Sequence, residues 1–210
     1  LTYGLTVEPT ASYWDAGEYI STSAKLQVGH PPGAPFFQMM GAVFSMFASN
    51  NESIAIAVNF LSVVSSAFVI LFLFWSTTLF LKKISKKNNF TNDTNILLSS
   101  SIGALAFTFS DSFWFNAVET EVYALAMLFL SATFWCGLRW EKDFDNKRGD
   151  KWLLLICFLI GLSFGVHFMA ILTIPAIGMI YFFKKYEKIT IKNFILANII
   201  SVSILLFIFK

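Results

Sequence analysis

Two carboxylates, a lysine and a histidine stand close together near the start of the chain, in the stretch "YWDAGEYISTSAKLQVGHPPGAPFF". Asp15 and Glu18 are three residues apart, so on a helix their side chains share one face, to which Lys25 returns. A carboxylate held beside a second one near a membrane surface is expected to have a raised pKa, which suits a general base. The same pair fits a capping box, with Asp15 accepting backbone N–H bonds and Glu18 reaching back, and the two roles are compatible.

The surrounding sequence indicates how this cluster is positioned. A short helix is expected over about 16–26, and "GHPPGAP" after it forms a rigid turn because proline fixes φ and removes a backbone donor. His30 is expected either to orient that turn through a hydrogen bond or to take part in the site. The apolar run 34–48 is too short to span a bilayer comfortably and favours an interfacial or re-entrant helix. Residues 10–52 therefore form a structured loop at the membrane surface.

The rest of the chain is typical of a membrane protein. Apolar residues make up 56% of the sequence and charged residues only 13%, about half the charged fraction of soluble domains. Six apolar runs are candidate membrane helices: 54–81, 96–108, 122–138, 152–166, 169–183 and 194–209. The arms 152–166 and 169–183 are short, so the tip "GVHFMA" between them is expected near the membrane boundary, where protein or water must cover nonhelical backbone. The fold class predicted is an all-α polytopic membrane protein.

The chain begins with Leu1 and its last apolar run stops at Lys210. We therefore expect a piece of a longer protein that is truncated at both ends. Within it, residues 1–210 are interpreted as one partial domain, in which 53–210 supply the transmembrane helices.

Nearly all the basic residues fall into three clusters, which determine the expected topology. The clusters are Lys82, Lys83, Lys86 and Lys87; Arg139, Lys142, Lys147, Arg148 and Lys151; and Lys184, Lys185, Lys188 and Lys192. Short basic loops stay on the cytoplasmic face of a membrane, so the clusters predict one common side and no nucleic-acid partner. Both histidines and the 10–52 carboxylates then lie on the extracytoplasmic face, where ATP is absent.

Further candidates lie in two other segments of the same face. "SDSFWFNAVETEVYAL" joins two spans and contains Glu119, Glu121 and Tyr123. Boundary carboxylates are costly and are usually paired or functional. Glu119 and Tyr123 would be i, i+4 neighbours on a helix, with Glu121 pointing elsewhere. His167, at the tip of the short hairpin, is either a hydrogen-bonded structural residue or part of the site.

Three motifs in this order resemble one family over nearly the whole chain. "PTASYWDAGEYISTSAKLQVGHPPGAPFF", "FSDSFWFNAVETEVYAL" and "GLSFGVHFMAILTIPA" are similar to the bacterial membrane family long labelled uncharacterised-domain family 2723. That family is related to the vertebrate transmembrane O-mannosyltransferases. It is more distantly similar to the protein O-mannosyltransferases and aminoarabinose transferases of the GT-C superfold. Asp-Ala-Gly-Glu here replaces the adjacent Asp-Glu of the protein O-mannosyltransferases, so either carboxylate could be the base.

The resemblance implies a glycosyltransferase of a bacterial inner membrane that uses a polyprenyl-phosphate sugar, with mannose as the family's hexose. In that scheme Asp15, in the large first extracytoplasmic loop 10–52, deprotonates the hydroxyl of a protein or glycan acceptor, and Glu18 orients the acceptor or the base. Lys25, His30, Glu119, Glu121 and Tyr123 are expected to contact substrates. His167 corresponds to a basic residue that faces the lipid phosphate in GT-C relatives and would stabilise the leaving phosphate. No organic cofactor or metal ligand is expected, and the sequence leaves a metal requirement open.

Two other classes fit the composition. A transporter could use outer carboxylates to bind cations or protons, but transporter sites lie near the bilayer midplane, whereas these carboxylates lie in loops and at span ends. A noncatalytic scaffold could retain the same helical fold.

Overall fold

The structure, a computed structural model, describes residues 1–88, 92–146 and 149–208. Those residues form helices and connecting loops, which confirms the predicted all-α fold class. The α-helices are α1 (Thr2–Leu5), α2 (Ala16–Lys25), α3 (Pro35–Ser45), α4 (Ile54–Asn88), α5 (Asp93–Thr108), α6 (Asp111–Val118), α7 (Val122–Lys142), α8 (Lys151–Ser163), α9 (Thr173–Lys185) and α10 (Ile191–Ile208). Two 3-10 helices, Asn51–Ser53 and Phe168–Leu172, precede α4 and α9.

Among the described residues, four helical segments are long and apolar enough to cross a membrane: Asn51–Lys86, Val122–Lys142, Phe168–Lys185 and Ile191–Ile208. A fifth span is possible if α5 and α6, which meet at a bend of 69°, cross together. Helix α8 has 13 residues, about 20 Å of helix, so it is as short as the sequence suggested for that arm. The protein is therefore a multi-pass membrane protein, and the last predicted run extends past the described residues at position 209.

Helix α7 is the centre of the packing. It contacts α4, α8, α9 and the 3-10 helix Phe168–Leu172. Small buried residues on α4, including Ser62, Ser65 and Ser66, leave room for close approach of neighbouring helices. Near the start of α7, Val122 and Leu125 join a buried cluster with Leu61 of α4. The C-terminal parts of α4, α7 and α9 line one common cavity. These three helices therefore end on the same side of the molecule and run in the same direction.

The two short helices of the 10–52 loop form close to their predicted positions. Helix α2 ends at Leu26, whose φ of 49° turns the chain out of the helix. Proline occupies the first turn of α3, where its missing N–H costs nothing. The backbone N–H groups of Phe36 and Phe37 at this turn donate to the Gly165 carbonyl, at 2.8 and 3.2 Å. A Cβ on Gly165 would lie 2.7 Å from the Phe36 Cβ, so this close contact requires glycine.

This contact ties the loop to the tip of the short hairpin. The backbone between α8 and the 3-10 helix is nonhelical, as predicted for "GVHFMA". Phe37 is fully buried in the cluster that also contains Val166 and Ala170. Two segments that are about 130 residues apart in sequence therefore form one end of the molecule.

Candidate active site

The centre of the site is a histidine between two carboxylates. Glu18 accepts two hydrogen bonds from His30, one from its backbone N–H at 2.6 Å and one involving Nδ1 at 3.0 Å. The other ring nitrogen, Nε2, lies 3.9 Å from Oδ2 of Asp15. The turn that positions His30 is closed by the Gly33 N–H, which donates to the His30 carbonyl at 2.8 Å. The predicted association of Asp15, Glu18 and His30 is therefore present in the structure.

The expected capping box is wrong. Asp15 precedes α2 but has helical dihedral angles, φ −86° and ψ −1°, and its side chain makes no capping hydrogen bond. A capping residue needs extended backbone to aim its oxygen at the first N–H groups of the helix. Glu18 meanwhile binds His30, so neither carboxylate is engaged by the helix end and Asp15 stays 55% exposed.

The expected rise in pKa falls on a different carboxylate. The two hydrogen bonds from His30 lower the pKa of Glu18, which contradicts the expectation for this pair. Burial raises the pKa of Glu121 to about 7, and the charges of Asp15 and Glu119 add to the rise. Hydrogen bonds from the backbone N–H groups of Asp15 and Val122 to the Glu121 carboxylate oppose it only partly. Glu121 is 7% exposed, and its hydrogen bond to the Asp15 backbone places it next to that residue.

Tyr19 connects these groups and was not identified from the sequence. Its ring lies 6.0 Å from the ring of His30 and packs edge-on against Phe37 at 5.2 Å. Burial raises the pKa of Tyr19 to about 12, with further contributions from the charges of Glu121, Asp15, Glu18 and Tyr123. The phenol therefore stays protonated and can donate a hydrogen bond within a cluster of acceptors.

The segment before α7 is extended rather than helical. Glu119 has φ of −127° and ψ of 163°, and Glu121 has φ of −139° and ψ of 152°. The proposed i, i+4 pairing of Glu119 with Tyr123 is therefore wrong, because α7 begins only at Val122. The Glu121 N–H donates to the Glu119 carbonyl at 3.1 Å, so the chain makes a tight turn around Thr120. Burial raises the pKa of Glu119 as well, and the nearby charge of Glu8 adds to it.

Thr120 is held by a buried asparagine that sequence reasoning also missed. Its hydroxyl donates to Oδ1 of Asn59 on α4. The Asn59 amide donates to the backbone carbonyls of Glu8 and Thr10, at 2.6 and 3.0 Å. One side chain thus fixes both the segment that leads to Asp15 and the segment that carries Glu121. A lone amide within an apolar span was the available signal, since buried polar groups need partners.

The hairpin tip contributes His167. Its ring lies 5.5 Å from the ring of Tyr123, so these two predicted residues do meet. The Nδ1 atom of His167 is buried and has no hydrogen-bond partner among the described residues. Burial lowers the pKa of this imidazole, so the ring is neutral near pH 7 rather than cationic. A neutral ring with a free nitrogen can still donate one hydrogen bond to a ligand.

Lys25 lies apart from this group. Its side chain is exposed at the far end of α2, and no carboxylate of the described residues pairs with it. Glu119 lines a neighbouring cavity of about 530 Å³ with Glu8, Ser12 and Tyr13.

The central three residues could also hold a metal ion. Asp15, Glu18 and His30 each offer one ligand atom, and these atoms all lie within 4.8 Å of one another. Carboxylate oxygen and imidazole nitrogen are suitable ligands for several divalent cations. The geometry thus permits a divalent ion, a question that the sequence left open.

The site as a whole can transfer a proton and bind an anion. It combines the exposed carboxylate of Asp15, the buried carboxylate of Glu121 that titrates near neutrality, and the imidazole of His167 with its unpartnered nitrogen.

Residues 15–190 match the family described as the Protein O-mannosyl-transferase TMEM260 N-terminal domain. The chain is 25% identical to the protein O-mannosyl-transferase tmem260 of Dictyostelium discoideum over 225 aligned residues, which cover all of this chain and 26% of that protein.

It is also 27% identical to the protein O-mannosyl-transferase TMEM260 of Mus musculus over 162 residues, covering 77% of this chain and 21% of that protein. The chain therefore spans about a quarter of the length of the curated relatives it matches. No solved structure matches the chain significantly. Because the family match extends over most of its length, the chain belongs to the family of the Protein O-mannosyl-transferase TMEM260 N-terminal domain.

Proposed function

We propose that this chain carries the catalytic carboxylates of a GT-C-type membrane O-mannosyltransferase. The enzyme transfers mannose from a polyprenyl phosphate to a Ser/Thr hydroxyl of a protein, or to a glycan. The observation that carries the proposal is the exposed Asp15 carboxylate, held beside His30 and next to the buried Glu121. The names of the Dictyostelium and mouse relatives, both protein O-mannosyl-transferases, support mannose as the sugar and protein as the acceptor.

In the proposed reaction Asp15 accepts the proton of the acceptor hydroxyl. The hydroxyl oxygen forms a bond to the anomeric carbon of the sugar as the bond from that carbon to the phosphate oxygen breaks. The polyprenyl phosphate leaves with the bonding electron pair. Glu18 acts through His30, whose ring it orients by the 3.0 Å hydrogen bond. Proton transfer to a positioned carboxylate typically contributes 10²–10⁴-fold to a rate.

His167 is proposed to bind the leaving phosphate. Its buried Nδ1 has no partner among the described residues, so an N–H there is available for a ligand oxygen. A donor placed where negative charge develops stabilises the transition state more than the ground state. The aromatic contact with Tyr123 orients the ring. Lys25, Glu119 and Tyr123 remain our candidates for further substrate contacts.

We place residues 10–52 as the catalytic loop and 53–210 as the membrane part of a single partial domain. The loop would lie on the extracytoplasmic side, as the clustering of lysine and arginine at the opposite helix ends favours. A bacterial inner membrane and membership of family 2723 follow from the motif resemblance and belong to the same proposal.

The test is Asp15→Asn in the full-length protein, with a polyprenyl-phosphate mannose donor and a serine-containing acceptor peptide. Because the Asp15 side chain caps no helix, the variant should fold and bind donor normally. Its transfer rate should fall by about 10²–10⁴-fold. Asp111→Asn, at an exposed carboxylate of α6, is the matched control and should retain the wild-type rate. Full transfer by Asp15→Asn would remove Asp15 as the base.

A further inference from the structure

A second polar site lies at the other end of the same three helices. Helices α4, α7 and α9 begin at the acidic end and finish at a cavity of about 430 Å³. Helix α7, with 21 residues, is about 30 Å long, so the cavity is roughly one hydrocarbon thickness away from Glu121. The residues that line it are Leu79, Phe80, Lys82, Lys83, Lys86, Leu138, Glu141, Lys142 and Lys184.

The charge of this cavity is strongly unbalanced. Five lysines and one glutamate line it, and Lys83 pairs with that glutamate, Glu141. Lys82 pairs with Asp93 at 3.8 Å. Lys184 pairs with Asp145 at 3.6 Å in the same way. Within the described residues Lys86 and Lys142 have no carboxylate partner, so two cations of the lining are available to an anion. The side chain of Lys87 and the residues Lys147 and Arg148 lie outside the described residues.

The remaining walls are apolar. Leu79, Phe80 and Leu138 line the cavity beside the lysines, and Phe80 is 41% exposed on the membrane-spanning part of α4. A ligand that fits must therefore combine a compact anionic group with a hydrocarbon part. The volume lies within the usual range for small-ligand sites. Since the three helices cross the bilayer, their ends lie at the level of the lipid headgroups.

We propose that this cavity binds the phosphate headgroup of an anionic phospholipid, with the start of its acyl chains against Leu79, Phe80 and Leu138. Basic pockets between membrane helices are a recurrent way of holding such headgroups. The site is separate from the Asp15 cluster and does not depend on the proposed transferase activity.

The lysines also have a simpler role that must be separated from binding. Three helix C-termini converge here, and cations near a helix C-terminus offset its partial negative charge. That role accounts for lysines on each helix, and it requires neither a cavity nor a particular anion. A charge-offset role therefore predicts no difference between lipids.

The experiment uses the full-length protein in detergent and follows thermal unfolding during titration with short-chain phosphatidylglycerol. Phosphatidylglycerol should raise the melting temperature at much lower concentration than phosphatidylcholine of the same chain length. Lys86→Gln with Lys142→Gln should raise the midpoint concentration about 25-fold, because each lysine at an anionic surface is expected to contribute roughly five-fold. Lys185→Gln with Lys188→Gln, which removes the same charge at the same end outside the cavity, should change it little.

A variant that is expected to strengthen lipid binding distinguishes a specific effect from a general loss of stability. Glu141→Gln releases Lys83 and should tighten phosphatidylglycerol binding several-fold. Equal stabilisation by phosphatidylcholine would overturn the proposal. An equal loss of phosphatidylglycerol affinity in the two double-lysine variants would overturn it as well. Stabilisation by inorganic phosphate alone at the concentrations where phosphatidylglycerol acts would overturn the assignment to a lipid.

Discussion

Replacement of Glu121 by glutamine should stabilise the protein at alkaline pH. The pKa of Glu121 is raised from 4.5 to about 7, chiefly by burial. The folded state therefore binds this proton more tightly than the unfolded state, and stability falls as pH rises between about 4.5 and 7. Above that window the ionised carboxylate costs roughly 3 kcal/mol, because each pKa unit corresponds to about 1.4 kcal/mol.

Glutamine removes the charge but keeps an oxygen that can accept from the backbone N–H groups of Asp15 and Val122. Its amide NH₂ needs a partner in this buried position, which costs about 1 kcal/mol if none is found. Glu121→Gln should then be more stable than wild type by about 2 kcal/mol at pH 8, and no more stable at pH 4.

The assay is thermal unfolding of the full-length protein in detergent at a series of pH values. The difference in melting temperature between Glu121→Gln and wild type should grow by a few degrees between pH 4.5 and 7 and then stay constant. Glu187→Gln, an exposed glutamate next to the lysine-rich helix ends, serves as the matched control and should follow wild type. A constant difference at every pH would refute the assignment of a buried, titrating carboxylate to Glu121.

Two further outcomes test the orientation and the hairpin tip. In intact cells and a background without native cysteines, Ser49→Cys should react with a membrane-impermeant maleimide and Lys188→Cys should resist it; the reverse pattern would place Asp15 on the cytoplasmic side. His167→Ala should lower donor turnover on the order of 10²-fold with an unchanged acceptor KM, and His167→Asn, which retains an N–H donor, should recover part of it. Donor kinetics equal to wild type in His167→Ala would make the imidazole structural.

The longer helices and the turn after α2 could be predicted from the sequence, because membrane helices and turns depend on local properties. Apolar length predicted α4, α7 and α10, and the two prolines predicted the turn after α2. The apolar run 96–108 ends where α5 ends, but helix α6 after the bend was not predicted, because a count of apolar residues does not register its polar first turn. The proximity of Asp15, Glu18 and His30 could be predicted because all three residues lie in one short segment.

The parts of the site that were missed depend on contacts between distant segments. Tyr19 has no sequence feature that separates it from any aromatic residue on a short amphipathic helix. Its position near Glu121 follows from the packing of α2 against α3 and α4. The raised pKa was expected in the pair of Asp15 and Glu18 but occurs at Glu121, and this difference has the same origin. Hydrogen bonds from His30 lower the pKa of Glu18, and burial raises the pKa of Glu121. Burial is a tertiary property, so the titrating carboxylate could not be selected from sequence.

The pair of Asp15 and Glu121 should make transfer sensitive to pH near neutrality. When Glu121 loses its proton near pH 7, a second negative charge appears beside Asp15, where the proton of the acceptor hydroxyl is transferred. A negative charge at that position favours removal of the acceptor proton, so kcat/KM for the acceptor should rise through about pH 7. Glu121→Gln should lose this inflection and keep the low-pH rate at every pH. An inflection near 7 that persists in Glu121→Gln would mean that another group titrates there and that Glu121 only fills the space next to Asp15.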